Sequence, residues 1–226
     1  METERRMDVV ELGAGADYRE TWALQRALHA QVVDGARPTL LLLEHASVYT
    51  AGTSTQPGDL PTDGSEAIEV DRGGRITWHG PGQLVAYPIV ALPDAVQVVD
   101  WVRRLEEAII RALAASGLAT RRIRGRAGVW VADASGERKV AQVGVRVASR
   151  ASMHGIAINV ANSLAPFTAI VPCGIADAGV TTVELETGST HDPMAIGRRF
   201  AAELEPLLDF APFTSVALDD RAAVHA

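Results

Sequence analysis

Cysteine is almost absent from this chain: Cys173 is the only one in 226 residues. No intrachain disulfide can form. With six scattered histidines around one thiol there is no zinc-ligand spacing either, so the core must stand without staples. Long apolar runs are also missing. The longest aliphatic stretch, Leu40 to Leu43, is far short of the ~18 residues that a bilayer span needs, and the opening METERRMDVVELG has no apolar h-region. The expectation is a soluble, unexported, cytoplasmic protein that engages no membrane. Positive charge is in deficit. The 21 Lys and Arg face 28 Asp and Glu, a formal net charge of −7, which argues against nucleic acid as the main partner because phosphate binding rests on Lys and Arg. Neither a Walker A nor a Rossmann glycine fingerprint is present, and no repeat or linker divides the chain.

What is there is ordinary globular material, 47% hydrophobic and 22% charged. At about 150 residues per domain the length favours one domain over 1–226, able to bury roughly 70% of its unfolded surface. Asp17 before Tyr18, Trp22, Leu24, Leu28 and Val32 reads as a capped amphipathic helix that stops at Gly35. Thr39 to Glu44 reads as a buried strand. From Thr50 to Gly64 periodicity vanishes among Gly, Pro, Ser, Thr and Asp, so a long loop or lid is expected there. Short strands follow at Ile68 to Val70, Arg75 to Trp78 and Gln83 to Val90. After Asp94 the spacing of Val98, Val102, Leu105, Ile109 and Leu113 predicts a helix ending at Gly117. Gly128 to Ala132, Lys139 to Val147 and His154 to Val160 are β-rich. A last helix opens on Asp192 and Pro193, carries Ile196, Phe200, Leu204 and Leu208, and is strained by Pro206. The tail after about 212 has no motif and is expected to be poorly ordered. The pattern predicts an α/β fold, one domain with a central mixed sheet flanked by helices.

Strand parity selects two polar residues. Lys139 shares parity with Ala141, Val143, Val145 and Val147, and His154 with Ile156, Ile158 and Val160, so each is placed at the mouth of an apolar strand face. Taken alone, Lys139 equally suits a snorkelling side chain and His154 a hydrogen-bonded structural imidazole. Cys173, in Ile170-Val171-Pro172-Cys173-Gly174, is either a small buried hydrophobe or a thiol on a tight turn. Pairing would activate it. A free thiol has a pKa near 8.5 and a lysine about 10.4, so proton transfer to a neutral amine is downhill by roughly 2.6 kcal/mol, and attraction within ~4 Å at an effective dielectric near 20 adds about 4 kcal/mol. Asp71 to Gln83 is the densest glycine segment, either two hairpin turns or a cradle of backbone donors. Arg121, Arg122, Arg124 and Arg126 form a basic run, read as a solvated charged face or as a dock for an acidic carrier.

Taken in order, RGGRITWHGPGQLVAYPI (72–89), GVW (128–130), RKVAQVGVRV (138–147), MHGIAINV (153–160) and FTAIVPCGI (167–175) closely resemble the lipoyl(octanoyl) transferase family of lipoate biosynthesis. The resemblance implies a catalytic domain similar to those of biotin and lipoate protein ligases, without their ATP chemistry. It implies transfer of an octanoyl group from octanoyl-acyl carrier protein, through a cysteine thioester, to a lysine of an apo lipoyl domain or of the glycine cleavage H protein. Carried over, Cys173 is the nucleophile and Lys139 the residue that lowers its pKa and relays protons. Arg72, Gly73, Gly74, Arg75, Ile76, Thr77, Trp78, His79, Gln142, Val143, Gly144, His154, Gly155 and Ile156 would line the substrate pocket. No cofactor or metal is implied, since the acyl group arrives on the carrier's phosphopantetheine arm; a monomer is expected. Gln142 departs from the family pattern, which has a small residue there. Two rivals remain: an ATP-dependent lipoate or biotin ligase, with Arg124-Gly125-Arg126 as its glycine–arginine loop, and a non-enzymatic binder of acyl carrier or lipoyl-domain proteins.

Overall fold

The four consecutive leucines of Leu40 to Leu43 sit at the centre of the molecule, on a strand covered on both faces. Leu40 and Leu42 pack into one hydrophobic cluster and Leu41 and Leu43 into another on the opposite side, which is why this strand reads as a continuous apolar run. The computed structural model describes residues 6–171 and 178–213. Cys173 lies outside the described residues, as does the tail from 214 onward. The main sheet runs in the order β1 (Asp8–Ala16), β2 (Thr39–His45), β6 (Gln83–Ile89), β10 (Ala151–Asn159), β9 (Gly136–Ala148), β8 (Arg126–Asp133), β7 (Arg121–Ile123), with a short β11 (Gly179–Val180) beside β9. β1 pairs parallel to β2 and β11 parallel to β9, and the remaining neighbours are antiparallel. A smaller sheet joins β4 (Ala67–Glu69), β3 (Val48–Ala51) and β5 (Thr77–His79).

Helices α2 (Val98–Ala114) and α4 (Pro193–Leu204) cover one face of the main sheet through Leu105, Ile109, Leu113, Ile196, Phe200 and Leu204; α1 (Tyr18–Val33) covers the other, and α3 (Val183–Thr187) is a short turn of helix. The expected α/β architecture with a mixed sheet between helices is therefore present. Among the described residues no helix is long and apolar enough to cross a membrane.

Several local expectations are corrected. α1 is capped by Asp17 as expected, but its buried stripe is Tyr18, Thr21, Gln25 and Val32, and Leu24 points to solvent. α2 starts as expected after Asp94, and a reciprocal cap between Gln97 and Asp100 opens it. Pro206 does not strain α4: the helix ends at Leu204, and the proline opens a separate 3-10 turn at Glu205–Asp209, where its missing N–H costs nothing. The segment from Thr50 to Gly64 is not structureless. Its start belongs to β3, Thr53 and Ser54 donate to the carbonyls of Arg72 and Gly74, and Asp59 is clamped by the Arg75 guanidinium.

The basic run is not a solvated face. Arg122 is 1% exposed and pairs with Glu106 (3.1 Å) and Glu107 (2.9 Å), two glutamates on the buried side of α2. Two adjacent carboxylates carried into a core require a cation there, because an unpaired buried charge costs several kcal/mol. Arg126 pairs with Glu137, Arg121 donates to the Ala132 carbonyl, and Arg124 is exposed.

Candidate active site

A cavity of about 240 Å³ opens on the α1 side of the sheet, between β9, β10 and the glycine loop that precedes β5. Of the expected binding residues, Arg72, Gly74, Arg75, Thr77, His79, Gln142, Val143, Gly144, His154, Gly155 and Ile156 line it, together with Lys139. Gly73, Ile76 and Trp78 do not. Gly73 donates its N–H to the Val145 carbonyl (2.9 Å), and Ile76 and Trp78 pack with Tyr49, Phe167 and Ile170 in a cluster behind the wall.

Lys139 reaches the cavity because β9 is irregular. Between Lys139 and Ala141 the pairing with β8 slips by one residue, so Val140 is extra. The slip puts Ala141, Val145 and Val147 against the α2 cluster while Lys139, Gln142 and Gly144 face the cavity, which Val143 also borders. The parity argument therefore had the right neighbourhood and the wrong partners. Lys139 is the sequence's only lysine, 4% exposed, with Nζ stacked 4.7 Å over the Trp130 ring. Among the described residues no carboxylate pairs with it. Its backing is Gly128 at φ +106°, where a Cβ would come within 2.4 Å of the Ala141 carbonyl oxygen and 3.4 Å of Lys139 Cε. Glu106 holds that glycine by accepting its N–H at 2.8 Å. Gly128→Ala is expected to cost on the order of 2–3 kcal/mol and to displace the amine; urea unfolding of the two proteins measures it.

His154 also breaks the period of its strand. Its φ of +57° turns the side chain toward Trp22 and Tyr87, away from the face that holds Ile156 and Ile158. Two groups hold it there: the buried Gln25 side chain accepts its backbone N–H (2.8 Å), and Asp71 accepts from Nε2 (2.7 Å) while pairing with Arg146. Next to it, Gly155 lets β6 come close, since a Cβ would lie 2.2 Å from the Ala86 carbonyl oxygen.

One end of the cavity is a polar aromatic cluster, of which sequence reasoning named His79 and His154 and missed Tyr18, Tyr87 and His45. Tyr18 and Tyr87 line it with His79 and His154, and His45 stands behind, donating from Nδ1 to the Ala16 carbonyl (2.9 Å) and accepting from the Tyr87 hydroxyl (2.8 Å). Burial pushes His79 and His154 down to about 3, with His45 adding to the first effect and Arg72 to the second; it also lowers His45 and raises Tyr18 to about 12. All these rings are neutral near pH 7. Arg72 is a second buried cation of the wall beside Lys139, its guanidinium donating to the carbonyls of Thr50, Gly73 and Arg75 and to the Thr50 hydroxyl. Gly125, Arg126 and Ala127 also line the cavity beyond expectation. Among the described residues no group of three or more His, Cys, Asp or Glu is placed to hold a metal.

A family profile described as the lipoyl protein ligase A/B catalytic domain matches residues 17–205, which include the whole cavity. The chain belongs to this family. It is 53% identical over 190 residues to an octanoyltransferase of Pseudarthrobacter chlorophenolicus, covering 83% of this chain and 86% of that protein. It is 55% identical over 175 residues to an octanoyltransferase of Nocardia farcinica, covering 76% and 70%. Among solved structures, the fold is similar to that of a bi-partite lipoate protein ligase and its E2 lipoyl domain from Thermoplasma acidophilum (TM-score 0.72, 16% identity, covering 98% of this chain and 90% of that one). It is also similar to a biotin protein ligase from Aquifex aeolicus in complex with biotin and ATP (TM-score 0.53, 15% identity, covering 89% and 70%). Within the lipoyl protein ligase A/B fold of this chain, the cavity lies over β9 and β10, the strands that carry two of the motifs on which the resemblance rested.

Proposed function

We propose that this protein is an octanoyltransferase that takes an octanoyl group from octanoyl-acyl carrier protein and passes it, through a thioester on Cys173, to a lysine of an apo lipoyl domain or of the glycine cleavage H protein. It works as a cytoplasmic monomer without a metal or cofactor of its own. The observation that carries this reading is the buried amine of Lys139 at a largely apolar cavity, in a chain that is half identical to proteins named octanoyltransferase.

In the first half-reaction the Cys173 thiolate attacks the carrier's thioester carbonyl. The new C–S bond forms, the bond to the pantetheine sulfur breaks, and the proton held by Lys139 goes to the leaving thiolate. In the second, the neutral amine of the acceptor lysine attacks the Cys173 thioester; an amide forms, the C–S bond breaks, and the amine's proton returns to Lys139. Splitting one transfer into two thioester steps lowers each barrier. Burying about six methylenes of the chain contributes roughly 5 kcal/mol before ordering costs.

Incubation with octanoyl-carrier protein is expected to add one octanoyl group to the intact mass of the wild type and none to Cys173→Ala. A wild type that stays unacylated removes the reading. The shared fold keeps a ligase as the second reading, with Gly125 and Arg126 among the residues that line the cavity. That reading requires ATP for lipoyl-domain modification, whereas thioester transfer proceeds without it.

A further inference from the structure

Glu106 belongs to α2, the helix on the other face of the main sheet from the cavity, and it is fully buried. Its two carboxylate oxygens do different work. Oε2 accepts from the side chains of Arg103 (2.5 Å) and Arg122 (3.1 Å), whereas Oε1 accepts the backbone N–H of Gly128 (2.8 Å). Glu107, its equally buried neighbour, accepts from the side chains of Arg111 (2.9 Å) and Arg122 (2.9 Å). Such a network is a weak source of stability. Burying charges costs about what their pairing returns, and apolar side chains of similar volume often serve a core as well or better. A carboxylate that accepts a backbone N–H does supply a short, directed contact that an apolar side chain cannot.

Gly128 is where that direction is needed. It stands at φ +106°, a conformation that suits glycine, one residue before the slip between β8 and β9. A Cβ there would lie 2.4 Å from the Ala141 carbonyl oxygen and 3.4 Å from Lys139 Cε, so the glycine backbone is the wall against which the lysine stem rests. A line of contacts thus runs from Arg122 through Glu106 and Gly128 to Lys139. We infer that Glu106 is a positioning residue for Lys139: it touches neither the amine nor the cavity, and it sets where the amine stands by fixing Gly128. For its effect on rate this inference rests on the acyl-transfer reading; for its effect on the lysine side chain it does not.

The composition of the chain supplies a clean probe. Lys139 is the only lysine, so a lysine-selective isotope label gives a single side-chain signal in the NMR spectrum, and the Trp130 ring, 4.7 Å from Nζ, shifts that signal according to where the stem lies. Glu106→Gln keeps the shape of the side chain. Its one acceptor oxygen is claimed by the two guanidinium donors, which turns the amide nitrogen toward the Gly128 N–H, donor against donor. In this variant the Lys139 methylene signal is expected to leave its ring-shifted position. The kcat for octanoyl transfer is expected to fall about tenfold to a hundredfold with KM changed by less than about twofold, as misplacement of a reacting group does. Glu107→Gln removes a carboxylate from the same network at the same depth and leaves the atoms of the Gly128 contact in place. It is expected to lower the urea midpoint to a similar degree while the signal and kcat stay as in the wild type.

An unmoved signal in Glu106→Gln, or equal effects of the two variants on signal and kcat, overturns the assignment and makes Glu106 a core ion pair only. If Glu106→Gln does not fold, Gly128→Ala reaches the stem from the glycine side with the same two expectations, and an unmoved signal there breaks the line of contacts. A signal that moves in Glu106→Gln while even the wild type transfers no octanoyl sinks the transferase reading and leaves the positioning. Transfer by the wild type with an unmoved signal in the variant does the reverse.

Discussion

Lys139→Met is expected to lower kcat/KM for octanoyl transfer by roughly two to four orders of magnitude, the usual worth of a positioned proton relay, while leaving the fold intact. Methionine matches the length of the alkyl stem and keeps the contact with the Trp130 ring. The loss has two separable parts. One is electrostatic: a cation beside a thiol stabilises the thiolate, so the pH profile of Cys173 alkylation should move to higher pH in Lys139→Met. The other is the relay itself. Lys139→Arg keeps the charge but holds its proton, since a guanidinium does not give one up in water. The arginine variant is therefore expected to retain the low-pH alkylation profile and still lose transfer. If alkylation profiles of wild type and Lys139→Met overlap, the amine and the thiol do not act together and the dyad falls.

The second large effect is on stability. His79 and His154 titrate near 3 in the folded chain, against an ordinary value of 6.5, because burial disfavours their charged forms. Above about pH 6.5 neither state takes up a proton and the pair makes no pH-dependent contribution. Below it the unfolded chain binds protons that the folded chain refuses until about pH 3, so stability falls with acidification at up to about 1.4 kcal/mol per pH unit for each ring. By pH 5 this reaches about 2 kcal/mol per histidine and about 4 for the two, with His45 acting in the same direction. Against a typical total of 5–15 kcal/mol that is a large share. Urea midpoints at pH 7.5 and pH 5 should differ accordingly, and His79→Gln should flatten the difference. Equal midpoints would mean that these rings accept protons in place.

Much of the architecture could be read from spacing alone. Asp17 and the Asp192-Pro193 pair mark helix starts because their side chains or ring geometry satisfy local backbone needs, and those needs do not depend on the rest of the chain. β1 escaped because an edge strand with Gly13 and Gly15 at positive φ and slipped register shows no alternation. The site was legible as a list of segments and illegible as geometry. Both side chains chosen by parity, Lys139 and His154, sit where the two-residue period fails, one beside a bulge and the other in a left-handed residue. Those irregularities are imposed from outside the strand, by Gly128 and Glu106 in one case and by Gln25 and Asp71 in the other. The same holds for Tyr18, Tyr87 and His45, which look like core residues until three elements converge. Arg122 misled for the opposite reason: its partners, Glu106 and Glu107, are fifteen or so positions away and carry no local sign of being buried.

Twenty of the twenty-one basic side chains are arginine, and the remaining one is enclosed beneath a tryptophan ring. A guanidinium stays protonated at neutral pH and is a poor acyl acceptor. On the proposed acyl-transfer reading, a catalyst holding an activated acyl group destined for an amine thus displays no lysine side chain on its own exterior, and the cargo is spared from being lost to the vehicle.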